Sequence, residues 1–266
     1  MTTSAGSSRP PYPEHTGPGR TDDRTANRSG KDADAVRALE VADAVEVLGL
    51  VASVEHQAFA RLAEDSRQAP GLEQSLALSR LAACCTERRD RVLARIEELG
   101  GDPATALARF DGLLTEFDVR TPSSTWAERL LKAYVGYGVA DDFCRLVARG
   151  LDEESARLVA DVLDDASRTE LAVGELDRAC AGDDVLSSRL ALWGRRLVGE
   201  ALGVVQRVAQ RPEVARVLAR AGASDSTDGE ASHVAARESV AQAPATVFNE
   251  LTAEHTRRMS RLHLTA

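Results

Sequence analysis

Residues 78–99, LSRLAACCTERRDRVLARIEEL, decide the fold. Apolar side chains fall at Leu78, Leu81, Val92, Ile96 and Leu99, the three-and-four spacing of one helical face. Carried through the gap, the same face takes Cys85 and Arg88. An arginine on an inward stripe is expensive unless it is paired. The helix is therefore expected to face a polar site rather than a plain core.

The pattern continues outward along the chain. The spacing predicts a first helix from about Asp34 to Asp65, ending before Pro70, and a second from about Leu72 to Leu99, stopped at Gly100–Gly101. Asp102–Pro103 opens a shorter helix to about Phe117. Long helices follow over about 125–149, 152–181 and 183–221, and a last one over 245–262. β-branched alternation is scarce. Long helices joined by short loops indicate an all-α bundle.

Two stretches stand outside that pattern. Residues 1–34 are rich in Ser, Pro, Gly, Arg and Asp and read as a disordered tail; residues 222–244 read as a mobile loop. The helical domain is thus expected over 35–266. The chain has 266 residues, a formal net charge of -9 and four cysteines, Cys84, Cys85, Cys144 and Cys180. Their spacing fits neither a zinc site nor a disulfide framework. An acidic surface disfavours non-specific nucleic-acid or anionic membrane binding. No apolar run approaches the roughly 18 residues of a spanning helix, and the first residues lack an export core. A cytoplasmic location is the expectation.

Each long helix carries polar residues on its apolar face. The first reads Leu48, Ala52, Glu55, Phe59, Leu62; the second has Cys85 and Arg88. The third reads Trp126, Leu130, Ala133, Tyr137, Ala140, Cys144, Val147, with Asp141 beside it and Asp142 following. The fourth has Asp165 and Arg168 or Thr169, and the fifth has Glu200 between Leu197 and Val204. Taken together they predict a polar site inside the bundle. Taken singly, the cysteines read as small core residues and Tyr137 as a space-filler with its hydroxyl satisfied. Arg195, Arg196, Arg257, Arg258 and Arg261 read as solvated surface.

The strings VEHQAFARLAEDSRQAP (54–70), LARIEELGGDP (93–103), WAERLLKAYVGYGVADDF (126–143), LALWGRRLVGEAL (190–202) and LTAEHTRRM (251–259) carry a resemblance. The chain resembles the ferritin-like family of MiaE-like proteins, named for a diiron hydroxylase of a modified tRNA adenosine. The resemblance covers about 35–221 and the last helix. It implies a ferritin-like four-helix bundle with additional helices. It also implies two metals held by a Glu and a Glu-x-x-His on one helix pair, repeated on a second pair. Glu55 matches the first Glu. The first Glu-x-x-His falls on Cys85-x-x-Arg88, an expected acid falls on Tyr137, and the second acid-x-x-His falls on Asp165-x-x-Arg168. Glu200 remains.

Both implied histidines are therefore arginines. A guanidinium keeps its proton and offers no lone pair to a metal. The expectation is a bundle that has lost its diiron centre, with no cofactor, and that serves as a binding, scaffold or regulatory protein, as a homodimer or with a protein partner. Arg88 and Arg168 would replace the metals' charge, with Glu55, Asp165 and Glu200 as partners. The alternative is an active diiron oxidase or hydroxylase acting on tRNA, with Glu55, Asp141, Asp165 and Glu200 as ligands. Thiol chemistry at Cys84, Cys85 and Cys144 is a further possibility.

Overall fold

The computed structural model describes the backbone of residues 1–2, 22–164, 166–224 and 233–266, and the side chains of 1–2, 31–164, 166–223 and 245–266. The described residues are helical, and no strand occurs among them. They divide into two units, 1–39 and 40–266. In the first, the backbone is helical from Asp22, and the side chains of 31–39 are exposed. Residues 3–21 of the expected tail lie outside the described residues. From Asp22 to Asp34 the described backbone is helical. Of the expected loop over 222–244, residues 225–232 lie outside the described residues, and the backbone from His233 is helical.

The first helix, α1, runs from Asp22 to Arg67. Between Asp43 and Glu55 nearly every side chain is buried, including Asp43, Glu46, Ser53 and Glu55. A helix covered on all sides shows no clean amphipathic stripe. That is why a face read from Leu48 placed Phe59 inside, whereas Ala58 is buried and Phe59 lies partly exposed.

α2 spans Leu72–Glu98 and presents Leu78, Leu81, Cys85, Val92 and Ile96 to the core, as its periodicity requires. The expected short helix over 103–117 is two pieces, α3 (Pro103–Ala108) and α4 (Thr115–Arg120). Asp102 caps α3 by accepting from the Thr105 amide at 2.8 Å. The third long helix is continuous but not uniform. α5 (Trp126–Leu131) opens on a Thr125–Glu128 capping box, passes through a π turn at Lys132–Gly136, and continues as α6 (Tyr137–Ala148). A π turn inserts one residue into the helical repeat. Heptad spacing carried from Trp126 therefore does not pass through it unchanged.

The expected fourth helix breaks at Asp164 into α7 (Glu153–Leu163) and α8 (Ala166–Cys180). The fifth breaks before Pro212 into α9 (Asp184–Ala209) and α10 (Pro212–Ser224), since proline has no amide to continue the ladder. α11 covers His233–Arg261. α6 is central and packs against α7, α9, α10 and α11.

The α6–α10 contact is unusually close. A Cβ at Gly150, just after α6, would lie 2.1 Å from the Val217 carbonyl oxygen. Arg220 donates to the Gly150 carbonyl at 3.2 Å and to Asp43 at 3.0 Å, and Arg216 donates from Nε to both Asp43 oxygens. Buried Glu46 is paired with Arg109 and Arg211 at 2.6 and 2.8 Å. These pairs fasten the buried part of α1 to the loop after α3 and to α10.

Candidate functional site

The polar site predicted from the helix faces exists, with a changed membership. Glu55 of α1 is 0 % exposed, and neither carboxylate oxygen has a hydrogen-bond partner. Arg168 of α8 reaches it, with Nη2 3.8 Å from Glu55 Oε1. From Nη1 the same guanidinium donates to Asp141 Oδ2 of α6 at 3.1 Å. Arg168 thus lies between two carboxylates from two other helices. All three side chains are almost fully removed from water. Burial raises the Glu55 carboxyl to about 7, helped by the negative charge of Asp141 and opposed by Arg168, Arg88 and the Cys85 thiol.

Cys85 and Cys144 surround this pair. Burial, with the Glu55 charge next, pushes the Cys85 thiol up to about 12. Cys144 is raised further, by burial and then by Asp141 and Glu55. Both are neutral thiols at physiological pH, so neither carries the thiolate that thiol chemistry requires. Arg88 is half-buried, and its charge acts on Glu55 and Cys85.

A second ion-pair set adjoins the first. Asp142 is clamped by Arg258 of α11, whose Nη2 donates to Oδ1 at 2.7 Å and whose Nη1 donates to Oδ2. Arg145 Nη1 donates to Asp142 Oδ1 at 3.2 Å, and its Nη2 donates to the Leu163 carbonyl. Gly138 makes room for this clamp: a Cβ there would lie 2.7 Å from Arg258 Nε. Arg258, expected at the solvated surface, is half-buried and turned toward Asp142. Its pairing partner lies 116 residues away, which no local pattern announces.

Between the two sets lies a cavity of about 60 Å³, lined by Tyr134, Gly138, Asp141, Arg145, Arg168 and Arg258 among others. The Tyr134 hydroxyl and Asp141 Oδ1 are buried with no protein partner. Sequence reasoning passed over Tyr134 because it read the face through Tyr137.

Tyr137 belongs elsewhere. Its hydroxyl lies 3.5 Å from Asp118 Oδ2, in a cluster with Lys132, whose Nζ is 2.6 Å from Asp118 Oδ1 and donates to the Thr121 carbonyl at 2.9 Å. Arg61 and Asp65 complete that cluster. Burial lowers the Lys132 ammonium and raises the Tyr137 phenol. Glu200 is also displaced from its expected place. It is half-buried and paired with Arg120 at 3.4 Å, because Leu197, Ala201 and Val204 take the inward face of α9. Asp165 lies outside the described residues. The structure therefore brings together Glu55, Cys85, Arg88, Asp141 and Arg168, with Asp142 alongside, and separates Tyr137 and Glu200 from them.

A diiron centre needs a set of carboxylates and imidazoles converging on open coordination positions. Glu55 and Asp141 are the two described carboxylates that approach one another here, and a guanidinium stands at both. The buried histidine, His255, sits against Gly194 on α9, and its basicity is lowered by burial and by Arg258. Among the described residues no three His, Cys, Asp or Glu side chains converge as a metal-holding group. This donor set does not fit two irons.

No helix among the described residues is long and apolar enough to cross a membrane. In comparisons with known proteins, the family profile described as "Ferritin-like domain, actinomycetes" matches residues 40–220. No curated protein matches the chain.

Proposed function

This chain belongs to the ferritin-like domain family of actinomycetes, and on that premise we propose that it is a non-catalytic binding protein whose bundle centre is held by guanidinium–carboxylate pairs in place of metals. The observation that carries this reading is Arg168, 3.1 Å from Asp141 and 3.8 Å from Glu55. The guanidinium supplies fixed positive charge between carboxylates that face one another across the helices. It accepts no electrons and holds no oxygen. The closer likeness to MiaE-like proteins rests on the quoted strings, residues 190–202 above all, and the reading makes this chain a member of that group without its chemistry.

The surface supports a protein partner or a second copy over tRNA. A net charge of -9 opposes a polyanion. Arg258, one of the arginines near the C-terminus, is engaged with Asp142.

The test is anaerobic reconstitution with ferrous iron, followed by metal analysis and thermal melting. The expected result is no stoichiometric iron and an unchanged melting temperature. Retention of about two irons per chain, as in a diiron carboxylate bundle, overturns the reading.

A further inference from the structure

α11 is seated on the bundle at two glycines. Arg258 crosses over Gly138 of α6, where a Cβ would lie 2.7 Å from its Nε, and Met259 presses on Gly194 of α9, where a Cβ would lie 2.6 Å from its Cε. The inward stripe of the helix reads Val247, Leu251, His255 and Met259, all buried. One member of that stripe is not apolar. His255 is 3 % exposed, stands one turn before Met259, and faces Gly194 with it.

A neutral imidazole is tolerated in such a seam, since one nitrogen is a bare acceptor and an enclosed water serves either. An imidazolium is not, because it carries a full charge and two N–H groups. A carboxylate would have to compensate it, and those of the helices packed here are engaged. On α6, Asp141 is held by Arg168, and Asp142 by Arg145 and Arg258. Glu200 of α9 pairs with Arg120 and Glu213 of α10 with Arg216. On α11 itself Glu250 pairs with Arg149 and Glu254 with Arg257. The π turn brings Lys132, bound to Asp118, and beside Gly194 the cations Arg195 and Arg196 are exposed. Burial, and then the charge of Arg258, disfavour a proton on the ring.

We propose that residues 245–261 of α11 form an acid-released strap: protonation of His255 lifts them from α9 and α6 and uncovers Asp142 and the two glycine seats. The sign follows from linkage. The released segment takes the proton readily and the docked one does not. Release therefore rises about tenfold per pH unit below about 6.5, the ordinary histidine value, until the docked ring is protonated as well. Glu55 works in the opposite sense, since its burial favours the protonated, folded form. The strap operates whatever the bundle centre binds, and so goes beyond the reading above.

The experiment is hydrogen exchange of the full chain at pH 7.5 and pH 5, read peptide by peptide and corrected for the intrinsic effect of pH. Protection over 245–261 should fall by about tenfold or more at pH 5. That of α2, which carries no histidine, should hold or rise. His255→Leu puts an apolar residue in an apolar stripe, and His255→Gln keeps a neutral polar one. Both remove the titrating group, so both should abolish the fall. Retained protection over 245–261 in the parent at pH 5 overturns the inference. So does an equal loss in α2, the mark of general acid unfolding, or a fall that persists in both variants.

Discussion

Arg168 donates to Asp141 at 3.1 Å across 27 residues of sequence, joining α8 to α6 at the centre of the bundle. The same guanidinium is 3.8 Å from Glu55 on α1. One side chain therefore compensates charge on two helices other than its own.

Removing it should be costly. Arg168→Leu leaves Asp141 and Glu55 facing each other without a cation, and breaking a buried pair from one side costs about 3–5 kcal/mol. Arg157→Ala, at an exposed pair with Glu153 one helical turn away, should cost under about 1 kcal/mol. Urea denaturation of both variants at pH 7 measures the contrast. Equal effects would place Arg168 outside the stabilising network.

Glu55 gives the bundle a pH dependence of definite sign. Its carboxyl is raised to about 7 in the fold, while an unfolded glutamate titrates near 4.3. Between those values the folded state binds more protons, so the Glu55 contribution to stability declines as pH rises from about 4.3 through 7. Above pH 7 the deficit reaches roughly 3–4 kcal/mol, from the size of the shift. Glu55→Gln should therefore stabilise the protein at pH 8 and leave it nearly unchanged at pH 4. Melting curves at the two values check this, and the reverse order would show that Glu55 is held ionised by Arg168.

How much of this was visible in the sequence follows from where the information lies. α2 was legible because one of its faces is buried and the other wet, so Cys85 appeared on the stripe where it sits. The polar centre was legible because Glu55 and Asp141 interrupt apolar runs. Glu55 was expected to face Arg168, and it lies 3.8 Å from it; the closer partner, Asp141, was not expected there, because pairing across helices depends on rotation about each axis. The π turn at Lys132–Gly136 shows the difficulty: it spoils the repeat that nominated Tyr137, and Tyr134 lines the cavity instead. Glu200 looked equivalent to Glu55 by spacing, yet it lies beside the inward face of α9 and pairs with Arg120. Arg258 looked like surface because its partner, Asp142, is remote in sequence.

The thiols should be silent in the folded protein. Burial pushes Cys85 to about 12 and raises Cys144 as well, so almost no thiolate is present at pH 8. Cys84 and Cys180 are half-buried and should react first. A maleimide reagent followed by peptide mass mapping should modify Cys85 and Cys144 only after denaturant is added. Prompt labelling of Cys85 in native protein would restore thiol chemistry as a function of this site.

Gly150 tests the clasp that holds α10 on the bundle. Its Cα approaches α10 so closely that a Cβ would meet the Val217 carbonyl oxygen at 2.1 Å and the Ala221 amide nitrogen at 2.9 Å. These are backbone atoms, so no side-chain rotation relieves the contact. Gly150→Ala must push α10 outward, and that movement pulls Arg220 from the Gly150 carbonyl and strains its pair with buried Asp43. Overpacking alone costs about 1–3 kcal/mol, and an Asp43 deprived of a donor adds to it. The expected loss therefore lies at or above the top of that range. Gly182→Ala serves as a control: it carries strain from a φ of +78° but meets no atom within 4 Å, so its cost is local, about 1–2 kcal/mol. Denaturant unfolding should rank Gly150→Ala as the more damaging, and hydrogen exchange should show the excess in α10. The opposite ranking would mean that α10 adjusts freely against α6 and that the Asp43 pairs do not fix its position.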